Sequence, residues 1–232
     1  MAFKTEAFVL RSRPFREADR IYDIFTPQEG VISVVLRSAA RSRSKLAGHL
    51  MPFNKVKVMI GRGKMDHMAG AVVLENYGNL RTDLKSMSLA SSVVELFLYD
   101  RSMGQKFREF SLMEHIFIIL NHQGITMSKK MMLVRAFLWK YLSIAGWQPR
   151  FRSGKHPSNE GMMYMEHDHS KSVPISGELF DFLQFIIQSD WPQLINLSVD
   201  SQINKEWLRI SRIYYQSILE RPSKSLKLFI YG

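Results

Sequence analysis

The sequence predicts an α+β protein: a small N-terminal β-barrel over residues 1–80, then an α-helical domain over residues 81–232. Two observations predict it. Up to about residue 80 short apolar runs alternate with turn residues at the period of strands, and beyond residue 82 the apolar positions recur at the period of helices. The 232 residues, 46% hydrophobic and 23% charged, suit one or two globular domains with a real core.

Five strands are expected, at Glu6 to Arg11, Ile21 to Thr26, Val31 to Leu36, Phe53 to Ile60 and Ala69 to Glu75. In the fourth, Val56, Val58 and Ile60 alternate with Lys55, Lys57 and Met59, the mark of a half-buried strand. Thr26-Pro27-Gln28-Glu29-Gly30 makes a tight hairpin, because Pro27 presets a turn dihedral and Gly30 can take a positive one. Gly61-Arg62-Gly63-Lys64 turns the fourth strand into the fifth. Five short strands joined in this way favour closure over a sheet with bare edges, and a five-stranded OB-type barrel is the economical solution.

Helices follow at Leu84 to Arg101, Glu109 to His122, and from Ser128, read as an N-cap, to the stop at Gly146. Gln148 to Val173 holds two prolines, two glycines and three histidines, and reads as an irregular insertion at about 148–174. Helical spacing resumes over Gly177 to Gln188 and Ser201 to Glu220, until Arg221-Pro222 halts it.

Lys and Arg total 32 against 21 Asp and Glu, a formal net charge of +11, so a polyanion is the first partner to consider. The excess is uneven: residues 1–81 hold 14 cations and 7 carboxylates. Arg11, Arg13, Arg16 and Arg20 surround the first inter-strand loop, and Arg37, Arg41, Arg43 and Lys45 fill the linker after the third strand among Ser38, Ser42 and Ser44. Guanidinium forks match phosphate oxygens and serine hydroxyls add neutral donors, so these eight residues are the candidate DNA-binding set. Glu17 and Asp19 offset part of the first loop, and nothing acidic interrupts the second. Phe15, Phe53 and Tyr77 could stack on bases, but burial is the simpler expectation for each.

In the helical half, Lys205, Arg209 and Arg212 form a basic stripe beside Ile203, Trp207, Ile210 and Tyr214, and Arg135 and Lys140 flank the preceding apolar face. An apolar groove with a basic rim would accept a short acidic-hydrophobic peptide. The plainer reading is a core face with solvated flanks.

Several functions find no support. With no cysteine there is no disulfide framework, thiolate zinc finger or cysteine nucleophile. Gly63-Lys64 lacks the Walker spacing, which wants Gly at Val58 and Ser or Thr at Met65, and neither G-x-S-x-G nor a strand-linked G-x-G-x-x-G occurs. His156, His167 and His169, with Glu166 and Asp168, suggest a metal, but their spacing matches no known ligand pattern and a solvated loop is preferred. No catalytic group, metal or cofactor is therefore expected. No export signal is expected either, and the most apolar stretch, Ile116 to Leu120, falls far short of the roughly 20 residues that cross a bilayer.

The run Glu6-Ala7-Phe8-Val9-Leu10-Arg11-Ser12-Arg13-Pro14-Phe15-Arg16-Glu17-Ala18-Asp19, with Phe25-Thr26, Gly30, Ala40-Arg41-Ser42 and Leu50-Met51-Pro52-Phe53, resembles in order and spacing the N-terminal pattern of the bacterial RecO family. Pro222-Ser223-Lys224-Ser225 resembles that family's C-terminal signature, and Arg135 and Gly146-Trp147 match as isolated residues. The resemblance implies an OB barrel and a helical domain. It also implies a recombination mediator of DNA repair that binds single- and double-stranded DNA, anneals complementary strands, and works with RecR to help RecA replace single-strand binding protein. The implied peptide partner is the acidic tail of single-strand binding protein, and the implied location is the bacterial cytoplasm, at the nucleoid. Many members carry a four-cysteine zinc module in the stretch that corresponds to about Gln148 to Lys171; here it has no cysteine, so no structural zinc is expected. The rival reading from another class is a basic protein-interaction adaptor that meets DNA incidentally, and a weaker third is a metal-dependent nuclease using the histidine segment.

Overall fold

The computed structural model describes residues 2–39, 45–99, 104–147, 149–153, 162–168 and 171–218. The chain divides into two compact units, Met1–Ile125 and Thr126–Gly232.

In the first unit, β1 (Ala2–Phe15), β2 (Asp19–Thr26), β3 (Gly30–Leu36), β4 (Lys55–Gly61) and β5 (His67–Glu75) close into a barrel in the order β1-β2-β3-β5-β4, with β4 returning to β1. β3 and β5 run parallel and meet at Val35 and His67. Gly30 has φ 72°, the positive dihedral expected of the β2–β3 turn. Alternating residues fill the interior, among them Ala7, Val9, Tyr22, Ile24, Val34, Leu36, Val56, Val58 and Ile60. A short helix, α1 (Lys45–His49), precedes β4.

In the middle of β1, Ala7, Phe8, Val9 and Leu10 are buried in succession, so both faces are covered there. Val9 points into the barrel, while Phe8 points out and packs on Phe110 (ring centroids 4.7 Å apart) and Phe117 (5.5 Å). These rings belong to α4 (Phe107–Asn121), which with α2 (Asn79–Thr82) and α3 (Leu84–Tyr99) completes the first unit. Phe25 meets Phe97 of α3 at 4.6 Å. Phe53 and Tyr77 are buried against Phe117, so neither is available to stack on a base. Phe15 is only partly buried.

The second unit holds α5 (Met127–Ile144), β6 (Arg150–Ser153), β7 (Met162–Asp168), β8 (Lys171–Ser176), α6 (Gly177–Gln188), α7 (Trp191–Asn196) and α8 (Ser201–Ile218). α5 starts at Thr126, whose hydroxyl accepts from Lys129 N, and not at Ser128; it ends before Gly146, which has φ 80°. Asp190 and Gln193 cap α7 reciprocally, with Pro192 in its first turn.

The expected irregular insertion is corrected. Arg150–Ser153, Met162–Asp168 and Lys171–Ser176 form a three-stranded antiparallel sheet in the order β6-β7-β8. Its strands are short, and β7 opens with methionines where a strand usually shows β-branched residues, so composition hid it. Met165 and Ile175 are nonetheless fully buried, and Phe151 packs edge-on against Phe180 of α6.

Candidate nucleic-acid interface

Strict alternation would turn Arg11 inward with Ala7 and Val9. A register shift between Val9 and Arg11 prevents this: Val9 pairs with Ile24, and Arg11 pairs with Asp23. The extra residue in β1, Leu10, resets the parity, so Arg11 and Arg13 emerge on the outer face. Register carries that face across three strands, from Arg11 to Asp23 to Ser33 and from Arg13 to Ile21 to Val35.

Asp23 lies at its centre. Its side chain has no solvent exposure; Arg11 Nε donates to its Oδ2 at 2.6 Å, Arg13 Nη1 donates to the same oxygen at 2.9 Å, and Ser33 Oγ donates to Oδ1. Burial pushes this carboxyl up, but the Ser33 hydrogen bond and the two guanidiniums outweigh it and hold it below its ordinary value. Arg11 and Arg13 remain about half exposed, at 48% and 44%. Two cations on one carboxylate leave a net positive charge.

The other cations of the first loop collect at the same end of β1–β2–β3. Arg20 donates from Nη2 to Ser12 Oγ at 3.2 Å. Arg16, at φ 54°, stands at the tip of the β1–β2 turn, its guanidinium 5.1 Å from the centroid of the Phe15 ring. Arg37 follows Leu36, the residue paired with Arg20, and is exposed; Asp19 Oδ1 accepts from Ser38 N at 2.8 Å and ties the two loops together. Among the described residues no carboxylate forms an ion pair with Arg16, Arg20 or Arg37. Arg41 and Arg43 lie outside the described residues, and Lys45 opens α1. In the β4–β5 turn Arg62 pairs with both Glu29 and Asp66 and covers the Phe3 ring at 4.4 Å, while Lys64 is exposed.

Sequence reasoning missed Asp23 and Ser33. The available signal was a lone acid inside the apolar run Ile21-Tyr22-Asp23-Ile24-Phe25, where an unpaired carboxylate would be costly.

The cations of the helical half divide differently. Lys140 is corrected as a rim residue: it is buried, and its Nζ donates to Ile187 O at 2.9 Å and Ser189 O at 2.5 Å, closing the C-terminal end of α6. The apolar stripe of α8 is core, with Trp207 and Ile210 fully buried and Tyr214 nearly so. Lys205 is exposed, Arg209 donates to Pro174 O at 3.1 Å, and Arg212 is half-buried. Arg135 is 8% exposed; its Nη1 donates to Asn204 Oδ1 at 2.8 Å and its guanidinium lies over the Trp207 ring. Around it Arg135 Nε, Trp207 Nε1 and Tyr215 Oη are buried without a hydrogen-bond partner among the described residues.

His156 and His169 lie outside the described residues, and His167 falls in β7. Among the described residues no three His, Asp or Glu side chains converge as metal ligands, and no helix is long and apolar enough to cross a membrane.

Comparison with known proteins places this geometry. Residues 1–77 match the family described as Recombination protein O N terminal, and residues 81–227 match Recombination protein O C terminal. Proteins named DNA repair protein RecO align over nearly the whole chain. The one from Dehalococcoides mccartyi is 25% identical over 97% of this chain and 93% of its own length, and the one from Alkaliphilus metalliredigens is 26% identical over 95% of each. The protein of that name from Bifidobacterium animalis is 26% identical over 97% of this chain and 98% of its own length. The N-terminal family model covers the OB-like barrel with its arginine face and the C-terminal model covers the largely helical remainder, which makes this chain a member of the RecO family of DNA repair proteins.

Proposed function

We propose that the chain is a non-enzymatic recombination mediator: its barrel grips the phosphates of single- and double-stranded DNA, and its helical unit recruits the acidic tail of single-strand binding protein. The observation that carries the DNA half is the clustering of Arg11, Arg13, Arg16, Arg20 and Arg37 at one end of β1–β2–β3, where Asp23 is buried beneath two of them and Glu17 and Asp19 of the turn offset only part of the remaining charge. Cations that displace condensed counterions give affinity with little sequence preference and steep salt dependence. Holding two strands on such a face lowers their mutual repulsion and favours annealing. Membership of a DNA repair family supports the same reading, and with it cooperation with RecR in loading RecA, in the cytoplasm at the nucleoid.

The partner half rests on Arg135. A buried guanidinium with no described carboxylate, beside two further buried groups that lack acceptors, suits the carboxylates of an acidic peptide better than a plain core does. Lys205, Arg209 and Arg212 would supply longer-range attraction.

The deciding experiment is annealing of complementary oligonucleotides coated with single-strand binding protein, run at several salt concentrations. Acceleration over the uncatalysed rate that collapses at high salt supports the mediator. Absence of acceleration together with salt-insensitive DNA binding favours a protein-interaction adaptor, and strand cleavage with a divalent metal would favour a nuclease.

A further inference from the structure

The two arginines that share Asp23 Oδ2 do not hang freely from the barrel face. Arg11 engages Asp23 through Nε, which leaves both of its Nη groups free of that carboxylate, and Arg13 engages the same oxygen through Nη1 alone. A guanidinium carries five N–H groups in a planar fork, so each arginine keeps most of its donors while its plane is fixed. The carboxylate that fixes them cannot swing, because it has no solvent exposure and Ser33 holds its other oxygen from the neighbouring strand. The β1 bulge that turns Arg11 outward is what brings it to Asp23.

We propose that Asp23 is a positioning residue for nucleic acid, holding Arg11 and Arg13 as a preorganised pair of forks for backbone phosphates. The inference rests on the reading of this face as a phosphate-binding surface and deepens it. Long arginine side chains otherwise lose rotamer freedom on binding; when they are held in place beforehand, that loss is smaller and bidentate geometry is ready. The arrangement looks wasteful electrostatically, since an acid sits where a polyanion must bind. That is what makes it testable, because positioning and charge predict opposite results when the acid is neutralised.

The test is Asp23→Asn, titrated against fluorescein-labelled oligothymidylate by anisotropy over a range of salt. If Asp23 positions the arginines, binding weakens about tenfold, the size expected when hydrogen bonds to charged groups lose their geometry. The log-salt slope becomes shallower, by about 0.7 for each phosphate no longer neutralised. If Asp23 only supports the fold or dilutes the charge, the folded variant has one more net positive charge and binds as tightly as wild type or more tightly, and that result overturns the proposal. Arg11→Ala/Arg13→Ala separates the layers. Should the double variant bind like wild type, the phosphate reading of the face fails; should it bind weakly while Asp23→Asn does not, the positioning role alone fails. Circular dichroism checks that Asp23→Asn folds. If it does not, Ser33→Ala carries the test: it frees one carboxylate oxygen at an exposed strand position and is expected to weaken binding about two- to threefold, a smaller share of the same hydrogen-bond loss. Wild-type affinity of that variant overturns the proposal.

Discussion

The Arg135 guanidinium lies over the Trp207 indole, 4.8 Å from the ring centroid, with no carboxylate among the described residues to balance its charge. Burial lowers its pKa, while the Tyr215 hydroxyl beside it is pushed well up by its own burial. An uncompensated buried cation costs stability, and natural proteins keep such groups where binding requires them. Arg135→Met is therefore expected to leave the thermal midpoint unchanged or raise it while abolishing capture of the acidic tail of single-strand binding protein. Naked-DNA affinity stays near wild type. A pull-down with the tail peptide and a thermal melt of the same preparation check both halves, and retained capture would move the peptide site elsewhere.

Lys140 illustrates the opposite case. It sits on the same helix as Arg135, but its ammonium closes the end of α6 through Ile187 O and Ser189 O. Lys140→Met removes these hydrogen bonds and leaves the carbonyls without that donor, an effect on the order of 1.5–3 kcal/mol for hydrogen bonds to a charged group. The thermal midpoint falls, and tail capture by the protein that remains folded is unchanged. Loss of capture without loss of stability would return Lys140 to the rim.

These two residues show what the sequence could and could not tell. Helical spacing placed Arg135 and Lys140 beside one apolar face, but spacing does not say whether a long side chain ends in solvent or on a neighbouring helix terminus. The barrel was legible because its strands alternate and its turns carry Pro27 and Gly30. Asp23 was not, since its partners come from two other strands and one of them, Arg11, faces it only through a bulge that alternation does not reveal. The β6–β8 sheet escaped for a different reason: its strands are short, and β7 carries methionines where β-branched residues are usual.

Phe117 is the point at which barrel and helices share a core. It is fully buried and meets Phe8, Phe53 and Tyr77 edge-on. Phe117→Ala is expected to destabilise the first unit by about 3–5 kcal/mol, the range for truncating a buried phenylalanine. Because α4 covers the outer surface of β1 at Phe8, the loss unfolds barrel and helices together. Denaturation followed separately by far-ultraviolet dichroism and tyrosine fluorescence tests this, and two resolved transitions within Met1–Ile125 would show that the helices are not part of the barrel's cooperative unit.

Acid stability isolates the Asp23 cluster. Its folded-state pKa is lowered, because Ser33, Arg11 and Arg13 together outweigh burial. A depressed carboxylate contributes stability that is complete above its unfolded pKa, near 3.9, and is lost as pH falls through the folded value. The urea midpoint of wild type should therefore exceed that of Asp23→Asn by a constant margin from pH 7 down to about pH 5, and the margin should shrink below about pH 4. Both arginines are about half exposed, so the margin itself is modest. A margin that does not depend on pH would mean that folding leaves the Asp23 pKa where it is in the unfolded chain.

Arg16 and Arg37 test the outer limit of the interface. Both are exposed, stand on the two loops that Asp19 and Ser38 tie together, and form no ion pair among the described residues. Neither supports the core, so Arg16→Ala/Arg37→Ala should melt like wild type. If each meets a phosphate of single-stranded DNA, the log-salt slope falls by about 1.4 in the double variant, and affinity falls by a similar factor for unrelated sequences, because phosphate recognition carries no base information. Adding Arg41→Ala and Arg43→Ala from the neighbouring basic run should shallow the slope again. A slope that stays at its wild-type value through both steps would confine DNA to the Arg11 and Arg13 forks, whereas a loss that differs strongly between sequences would mean that these loops read bases.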